Sequence, residues 1–173
     1  MRSPVQAFGS ERLRSRLPSA KWKRALIYLV GGGAILFVLA QAVPYGRAHR
    51  NPPVQAEPAW DSAQTRALAQ QACFDCHSNL TKWPWDSNIA PFSWLIQRDV
   101  DSGRSTLNFS EWNRVQDGAT DAIEATRSGS MPPWYYTIMH PKAGLSKAER
   151  NQLADGLART FVKSPPKGGG GGG

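Results

Sequence analysis

The sequence predicts an all-α protein, in which an N-terminal transmembrane helix is followed by a small helical domain. An apolar run without charge extends from residue 25 to residue 43. Beyond it, apolar residues recur at the three- and four-residue spacing of helices, and no segment alternates as a strand does. Ser, Gly and Pro at the ends of these segments act as helix start and stop signals. The 173 residues, 40% of them hydrophobic, suffice for one modest domain.

The apolar run indicates a membrane anchor because it is long enough to cross a bilayer. Its nineteen residues, at about 1.5 Å each, span roughly 28 Å, close to the thickness of the hydrocarbon core. Basic residues before it should stay in the cytoplasm, which places the domain on the outer side of the membrane. These are Arg12, Arg14, Arg16, Lys21, Lys23 and Arg24. A cleaved signal peptide ending at Ala40-Gln41-Ala42 is the alternative, and both readings export the domain.

The positive charge is concentrated at the N-terminus. Residues 1–43 carry seven Lys and Arg against one Glu, whereas the remaining residues carry fourteen against twelve Asp and Glu. The domain is therefore nearly neutral, and no basic stripe with interleaved aromatic residues is left to follow a phosphate backbone. This distribution argues against binding of nucleic acid.

The composition predicts five segments. They are a basic cytoplasmic N-terminus (1–24), the anchor (25–43), a Pro-rich spacer (44–59), the helical domain (60–162) and a flexible Gly-rich tail (163–173). Within the domain we expect four helices. The first begins at an Asp61/Gln64 capping box and leads into Cys73, and the second runs from Pro91 to Gly103. The third runs from Ser110 to Gly129, and the last begins at a Ser146/Glu149 box with a stripe of Leu153, Leu157 and Phe161.

Both cysteines of the chain lie in one short motif, Cys73-Phe74-Asp75-Cys76-His77. This motif fits C-x-x-C-H, the attachment signature of c-type haem. In such a site the two thiols bind the two porphyrin vinyl groups as thioethers, and the histidine is the proximal iron ligand. An exported domain agrees with this reading, since c-type attachment takes place outside the cytoplasm.

Three other interpretations of the cysteine pair remain open at this stage. A thioredoxin-like redox pair is typical of a βαβ setting, which this helical sequence lacks. A zinc site needs four ligands, and only His49, His77 and His140 accompany the two thiols. A plain Cys73–Cys76 disulfide is compatible with the composition. The histidine directly after the second cysteine favours haem.

A six-coordinate iron needs a second axial ligand, and Met131 is the candidate. Beyond Met1 the chain has only Met131 and Met139, both within the stretch "SGSMPPWYYTIMHP". Met131 follows the end of the third predicted helix, and Pro132 and Pro133 would stiffen its loop. Met/His ligation is typical of c-type electron carriers. Met139 and His140 are the reserve ligands, and the alternative role for either methionine is ordinary core packing.

Aromatic residues are abundant and can supply the apolar wall that a porphyrin needs. We expect this wall to include Trp83, Trp85, Trp94 and Trp134, with contributions from Trp112, Tyr135 and Tyr136. Arg98 and Arg104 are candidate partners for the haem propionates.

Several stretches together resemble the bacterial haem-binding-domain family. They are "VPYGRAHRNPPV", "CFDCHSNLTKWPW", "IAPFSWLIQRDV", "LNFSEW" and "MPPWYYTIMHP". The general plan is also similar to class I cytochrome c, with a helix leading into the haem motif, a Met-Pro-Pro loop and a C-terminal helix. The resemblance implies one covalent haem on Cys73 and Cys76, with His77 as proximal ligand and Met131 as distal ligand.

The expected function is single-electron transfer by a membrane-anchored mono-haem cytochrome, which need not be an enzyme. Its partners would be the lipid bilayer and either a membrane redox complex or a soluble electron carrier, with Gly31, Gly32 and Gly33 as a helix-packing face. The alternatives are a haem-based gas sensor or peroxidase-like enzyme with an open sixth position, and a thiol-disulfide protein without haem.

Overall fold

The computed structural model describes residues 20–168, and within this range the protein is all-helical. The helices are α1 (Ala20–Gln41), α2 (Ala63–Ala72), α3 (Phe74–His77), α4 (Phe92–Thr106), α5 (Ala119–Ser128), α6 (Trp134–Met139) and α7 (Lys147–Lys163). Short 3-10 turns cover Trp85–Asn88 and Pro141–Ala143. The described residues form no strand, and their only strand-like pairings are single bridges, Ala56 with Glu111 and Val115 with Lys167. The predicted fold class is confirmed.

Helix α1 carries the predicted apolar run. Its residues Lys21–Gln41 have a mean hydropathy of 1.7 over their most apolar window, and none of that window is buried. By length and composition the helix can cross a membrane. It begins before Ala25 and ends at Gln41 rather than at Val43. Arg12, Arg14 and Arg16, which set the predicted orientation, lie outside the described residues.

Residues 41–168 form a separate unit around an aromatic and aliphatic core. The ring centroid of Phe109 lies 5.2 Å from that of Trp60 and 5.8 Å from that of Phe74. Leu153 and Leu157 from α7 complete this core, which confirms the predicted stripe on the last helix. Helices α2 and α7 pack closely at Gly156, where an added Cβ would lie only 2.2 Å from Thr65 Oγ1.

Two of the helix-end signals predicted from the sequence are present in the structure, and a third is shifted by one residue. The Ser146/Glu149 capping box is present, and Gly129 ends α5 in the left-handed conformation with φ of 79°. The N-cap of α2 is Ser62 rather than Asp61, since Ser62 Oγ accepts the Thr65 backbone N–H. Asp61 instead accepts a hydrogen bond from Arg159 Nε at 2.8 Å.

The predicted start of the third helix at Ser110 is wrong, because residues 107–118 are not helical. Ser110 is buried, its hydroxyl accepts the Asn79 backbone N–H, and its carbonyl accepts the N–H groups of Gln55 and Ala56. These long-range partners take the groups that a helix would use. The second helix also continues past Gly103 to Thr106.

The predicted spacer and tail are both bound to the domain over part of their length. Besides the contacts to Ser110, the Trp112 N–H donates to the Ala56 carbonyl at 2.9 Å, so the Pro-rich segment lies against the core. Helix α7 runs to Lys163, and the Gln116 N–H then donates to the Lys167 carbonyl at 2.8 Å. Backbone pairing of this kind needs no apolar side chains, which is why composition missed it. Residues 169–173 lie outside the described range.

Candidate functional site

Both cysteines and the adjacent histidine line one cavity of about 260 Å³. Met131 lines the same cavity, although it lies 54 residues after His77 along the chain. The structure thus brings together the four residues that the sequence singles out as haem ligands and attachment points. The rest of the lining is mainly apolar and includes Leu107, Phe109, Ala122, Ala125, Pro133 and Leu157.

A single helical turn sets the spacing of the motif. Cys73 lies between α2 and α3 and caps both helices, and the His77 N–H donates to the Cys73 carbonyl at 2.8 Å. Residues 73, 76 and 77 are separated by three and four positions, so a helical turn presents them on one side. Phe74, which points the other way, is 1% exposed and packs in the core. The turn is therefore fastened to the core by the motif's own second residue.

Hydrogen bonds at Nδ1 orient the imidazole of His77 and leave Nε2 available as a ligand. Its Nδ1 lies 3.1 Å from the carbonyl oxygen of Gly103 and 3.1 Å from that of Leu107. Carbonyl oxygens only accept, so Nδ1 carries the proton and Nε2 keeps its lone pair. Burial lowers the pKa of His77, which favours the neutral ring despite the opposing effect of the two carbonyls. A neutral imidazole oriented in this way by backbone carbonyls is the usual arrangement of a metal ligand.

A buried amide network fixes the segment that supplies the Leu107 carbonyl. Gln116 Oε1 accepts the Asn108 N–H at 2.7 Å, and Gln116 Nε2 donates to the Glu111 carbonyl at 2.7 Å. Asn108 Nδ2 donates to Asn79 Oδ1 at 2.9 Å, just after the motif. All three amide side chains are 1% exposed or less. The network explains the "LNFSEW" stretch as a support for His77 rather than as a helix.

Replacing Gln116 with leucine should destabilise the domain by about 2–3 kcal/mol, because the buried Asn108 N–H would lose its acceptor and the Glu111 carbonyl would keep only the Arg114 N–H. A thermal melt of the haem-loaded protein in detergent, followed by circular dichroism, measures the change. Gln152→Leu on the exposed side of α7 is the matched control and should leave the melting temperature nearly unchanged. Equal melting temperatures for the two variants would contradict this role of Gln116.

The two thiols are protonated at neutral pH in the folded chain. Burial raises the pKa of Cys73 to about 12, and it raises that of Cys76 to about 12 with a further contribution from the charges of Asp99 and Asp75. The structure describes both as free cysteines. A thiolate used as a redox nucleophile normally has a lowered pKa. The environment of this pair therefore differs from that of a thioredoxin-like couple.

Met131 lies in the cavity on the loop that follows α5. Its backbone N–H donates to the Ala125 carbonyl at 3.1 Å, which attaches the loop to the end of α5. The residue is 45% exposed. Its thioether is a soft neutral donor, suited to iron or to an apolar surface.

This donor set fits a c-type haem. Two thiols one helical turn apart, an imidazole with a free Nε2 and a thioether share one largely apolar cavity. These are the groups needed for two thioether bonds and two axial ligands.

Most of the aromatic residues that were predicted to line the cavity lie elsewhere in the domain. Of the predicted aromatic residues, Tyr136 lines the cavity. Trp85 and Trp134 are 70% and 73% exposed, Trp83 stacks on His49 at 4.8 Å between centroids, and Trp94 is half-buried on α4. Arg98 is exposed and outside the lining as well. Small and aliphatic residues of α5 and α7 take the place predicted for tryptophan. A signal that could have indicated them is the three-residue spacing of Ala122 and Ala125 on α5, and the apolar stripe of α7 that includes Leu157.

The other basic and reserve residues have structural partners. Arg104 donates to the Ser78 carbonyl at 2.8 Å and to the Arg50 carbonyl at 2.9 Å, so it ties the Pro-rich segment to the motif. His140 uses both ring nitrogens, towards the Tyr136 carbonyl at 3.1 Å and Asp86 Oδ1 at 3.3 Å. Neither His140 nor Met139 lines the cavity with the cysteines.

The haem-binding domain family matches residues 35–159, which is most of the chain. The match includes the cavity, the C-x-x-C-H turn and most of α7. No curated protein and no solved structure matches the chain significantly. The family match agrees with the resemblance seen in the sequence and with the donor set of the cavity. The protein is a haem protein and belongs to the haem-binding domain family.

Proposed function

We propose that the protein is a membrane-anchored mono-haem c-type cytochrome that transfers single electrons on the periplasmic face of the bacterial cytoplasmic membrane. The observation that carries this proposal is the shared cavity of Cys73, Cys76, His77 and Met131. When bound there, the haem supplies one-electron exchange between ferrous and ferric iron.

Each residue of the cavity has a distinct role in holding the cofactor. The thiols of Cys73 and Cys76 each add across a vinyl group, so that a sulfur–carbon bond forms and the thiol hydrogen passes to the adjoining carbon. His77 would bind iron through Nε2, since Nδ1 donates to the Gly103 and Leu107 carbonyls. The Met131 thioether would supply the second iron ligand.

Two protein ligands on the iron favour electron transfer over catalysis. With His77 and Met131 both bound to the iron, no position would remain open for a peroxide or a gas, and little structural change would accompany electron transfer. Methionine on one side raises the reduction potential relative to harder ligands. The apolar lining from α5 and α7 keeps water away from the cofactor and has a similar effect.

The apolar helix α1 would hold the haem domain at the membrane surface. Tethering keeps the carrier at a high local concentration beside a membrane redox complex or a soluble electron carrier. Gly31, Gly32 and Gly33 lie within α1, and nothing lies within 4 Å of the Cβ position of any of them. Small residues of this kind let a second transmembrane helix approach closely. Subunit contacts in a larger redox complex would use this face.

Replacing Met131 with alanine tests the proposal. Protein matured in a host with c-type haem assembly should show covalent haem and the near-infrared band of methionine bound to ferric iron. The band should disappear in Met131→Ala and persist in Met139→Ala, since Met139 does not line the cavity. Absorption spectra of the three proteins measure this directly.

The same experiment also distinguishes the alternative functions from one another. Covalent haem without the band in the wild type, together with rapid carbon monoxide binding, would favour a gas sensor or peroxidase-like enzyme with an open sixth position. In that case Met131, which is 45% exposed, would lie away from the iron and leave the sixth position open. Absence of covalent haem, with a Cys73–Cys76 disulfide, would leave the thiol-disulfide alternative.

A further inference from the structure

Helix α6 is too short to be stable by itself and packs only partly against the domain. It has six residues, Trp134–Met139, none of them fully buried, and no side-chain cap at its N-terminus. Isolated helices of this length are unstable in water. Yet α6 directly follows the Met131-Pro132-Pro133 loop, so its position determines where that loop lies. Other contacts must therefore fix it.

Two consecutive tyrosines of α6 donate hydrogen bonds to carboxylates on different helices. Tyr136 Oη donates to Asp75 Oδ2 at 2.9 Å, and Asp75 lies inside the C-x-x-C-H motif. Tyr135 Oη donates to Asp99 Oδ2 at 3.0 Å on α4. The acceptor of Tyr136 is itself fixed, because Asp75 Oδ1 accepts the Lys82 backbone N–H at 2.9 Å. A hydrogen bond to a charged group is stronger than one between neutral groups.

The two tyrosines differ in their relation to the cavity. Tyr136 lines it, whereas Tyr135 does not. The ring of Tyr136 also packs on His140, with centroids 4.3 Å apart, and His140 contacts Asp86 beyond it. Burial raises the pKa of Tyr136, and the charge of Asp75 adds to this effect, so the hydroxyl remains a donor over the accessible pH range.

We propose that Tyr136 is a positioning residue for the distal ligand: its hydrogen bond to Asp75 fastens the Met131 loop to the haem-attachment turn. The bond joins two segments 61 residues apart in the chain, one with the proximal histidine and one with the distal methionine. Its loss lets the loop open, and Met131 then leaves the iron more often. The role rests on the proposed function, in which Met131 is the distal ligand.

The test compares Tyr136→Phe with Tyr135→Phe in the full-length, haem-loaded protein in detergent. Each variant removes one hydroxyl and one carboxylate contact, so the pair is chemically matched. Amide hydrogen exchange of residues 131–139 reports loop opening, and the rate of imidazole binding to the ferric protein reports departure of Met131. We expect both to increase about tenfold in Tyr136→Phe and less than about threefold in Tyr135→Phe. The methionine-to-iron band should also disappear well below the global melting temperature in Tyr136→Phe alone.

Equal rates in Tyr136→Phe and the wild type would overturn the proposal, as would equal effects of the two variants. In a Met131→Ala background, imidazole binding should no longer respond to Tyr136→Phe; a persistent response would also overturn it. If Tyr136→Phe does not mature, Asp75→Asn keeps an oxygen acceptor without charge and should give an intermediate increase. If the wild type lacks the methionine-to-iron band, the proposed function is overturned instead. Amide hydrogen exchange of residues 131–139 in Tyr136→Phe then shows separately whether the hydrogen bond holds the loop.

Discussion

A chain with both Cys73 and Cys76 replaced by serine is expected to carry no covalent haem. Serine has nearly the size of cysteine, but its hydroxyl does not add to a vinyl group under the conditions in which thiols do. The two thiols are the only ones in the chain, and both line the cavity. Haem staining after a denaturing gel, combined with acid-acetone extraction, should show loss of the covalent fraction to background.

Single replacements give a graded control. Cys73→Ser and Cys76→Ser each leave one thiol in the cavity, so any haem attached through a single thioether retains one vinyl group. That vinyl group stays conjugated with the porphyrin and shifts the pyridine haemochrome to longer wavelength. Met139→Ala removes a sulfur outside the cavity and should change nothing. Covalent haem in the double serine variant would rule out thioether attachment at this motif.

The sequence singled out four residues that the structure places in one cavity, because each has a local signature. Cys73, Cys76 and His77 form a motif with fixed spacing, and Met131 is one of few methionines in a chain with only Met1 and Met139 besides. Helix caps followed the same logic at Ser146 and Gly129, where short-range geometry decides. The motif and the helix caps involve groups that are close in sequence, and Met131 stands out because methionine is rare, so a single sequence suffices to single them out.

The features of the fold and the site that could not be predicted depend on residues far apart in the chain or on backbone groups, which every residue has. His77 is oriented by the carbonyls of Gly103 and Leu107, and every residue has a carbonyl. Ser110 resembles a helix cap locally but pairs with Asn79 and Gln55, which lie far along the chain. Long-range backbone partners override the local preference of such residues.

Tryptophan was a poor guide to the cavity wall for a related reason. A large aromatic side chain predicts that some apolar surface will be covered, but it does not determine on which side of the domain. Trp85 and Trp134 are mostly exposed, while Ala122 and Ala125 line the cavity. Small residues on α5 leave room for a flat cofactor, whereas tryptophans in their place would fill it. The helical spacing of Ala122 and Ala125 would therefore have been a better guide to the cavity wall than the number of tryptophans.

Gly103→Ala is expected to displace α4 from the haem-attachment turn. A Cβ at this position would lie 2.5 Å from the Cys76 carbonyl oxygen and 3.1 Å from Cys76 Cβ. These atoms belong to the backbone and to the base of a side chain, so they cannot rotate away. The carbonyl of Gly103 also accepts the His77 Nδ1 proton, and the displacement would lengthen that hydrogen bond. We expect a loss of stability of about 2–3 kcal/mol, although alanine favours a helix over glycine.

The same variant should raise the reduction potential of the haem, because the hydrogen bond at Nδ1 makes the imidazole a stronger donor and so favours ferric iron. Thermal melts and a redox titration of haem-loaded protein measure the two effects together. Gly144→Ala makes the same chemical change outside the cavity, where the nearest atom is the Pro141 carbonyl oxygen at 3.2 Å, and we expect it to cost less than about 1 kcal/mol with no shift in potential. Similar results for both alanine variants would show that the close approach at Gly103 does not position His77. A lower melting temperature without a change in potential would assign Gly103 to helix packing and leave the orientation of the ring to Leu107.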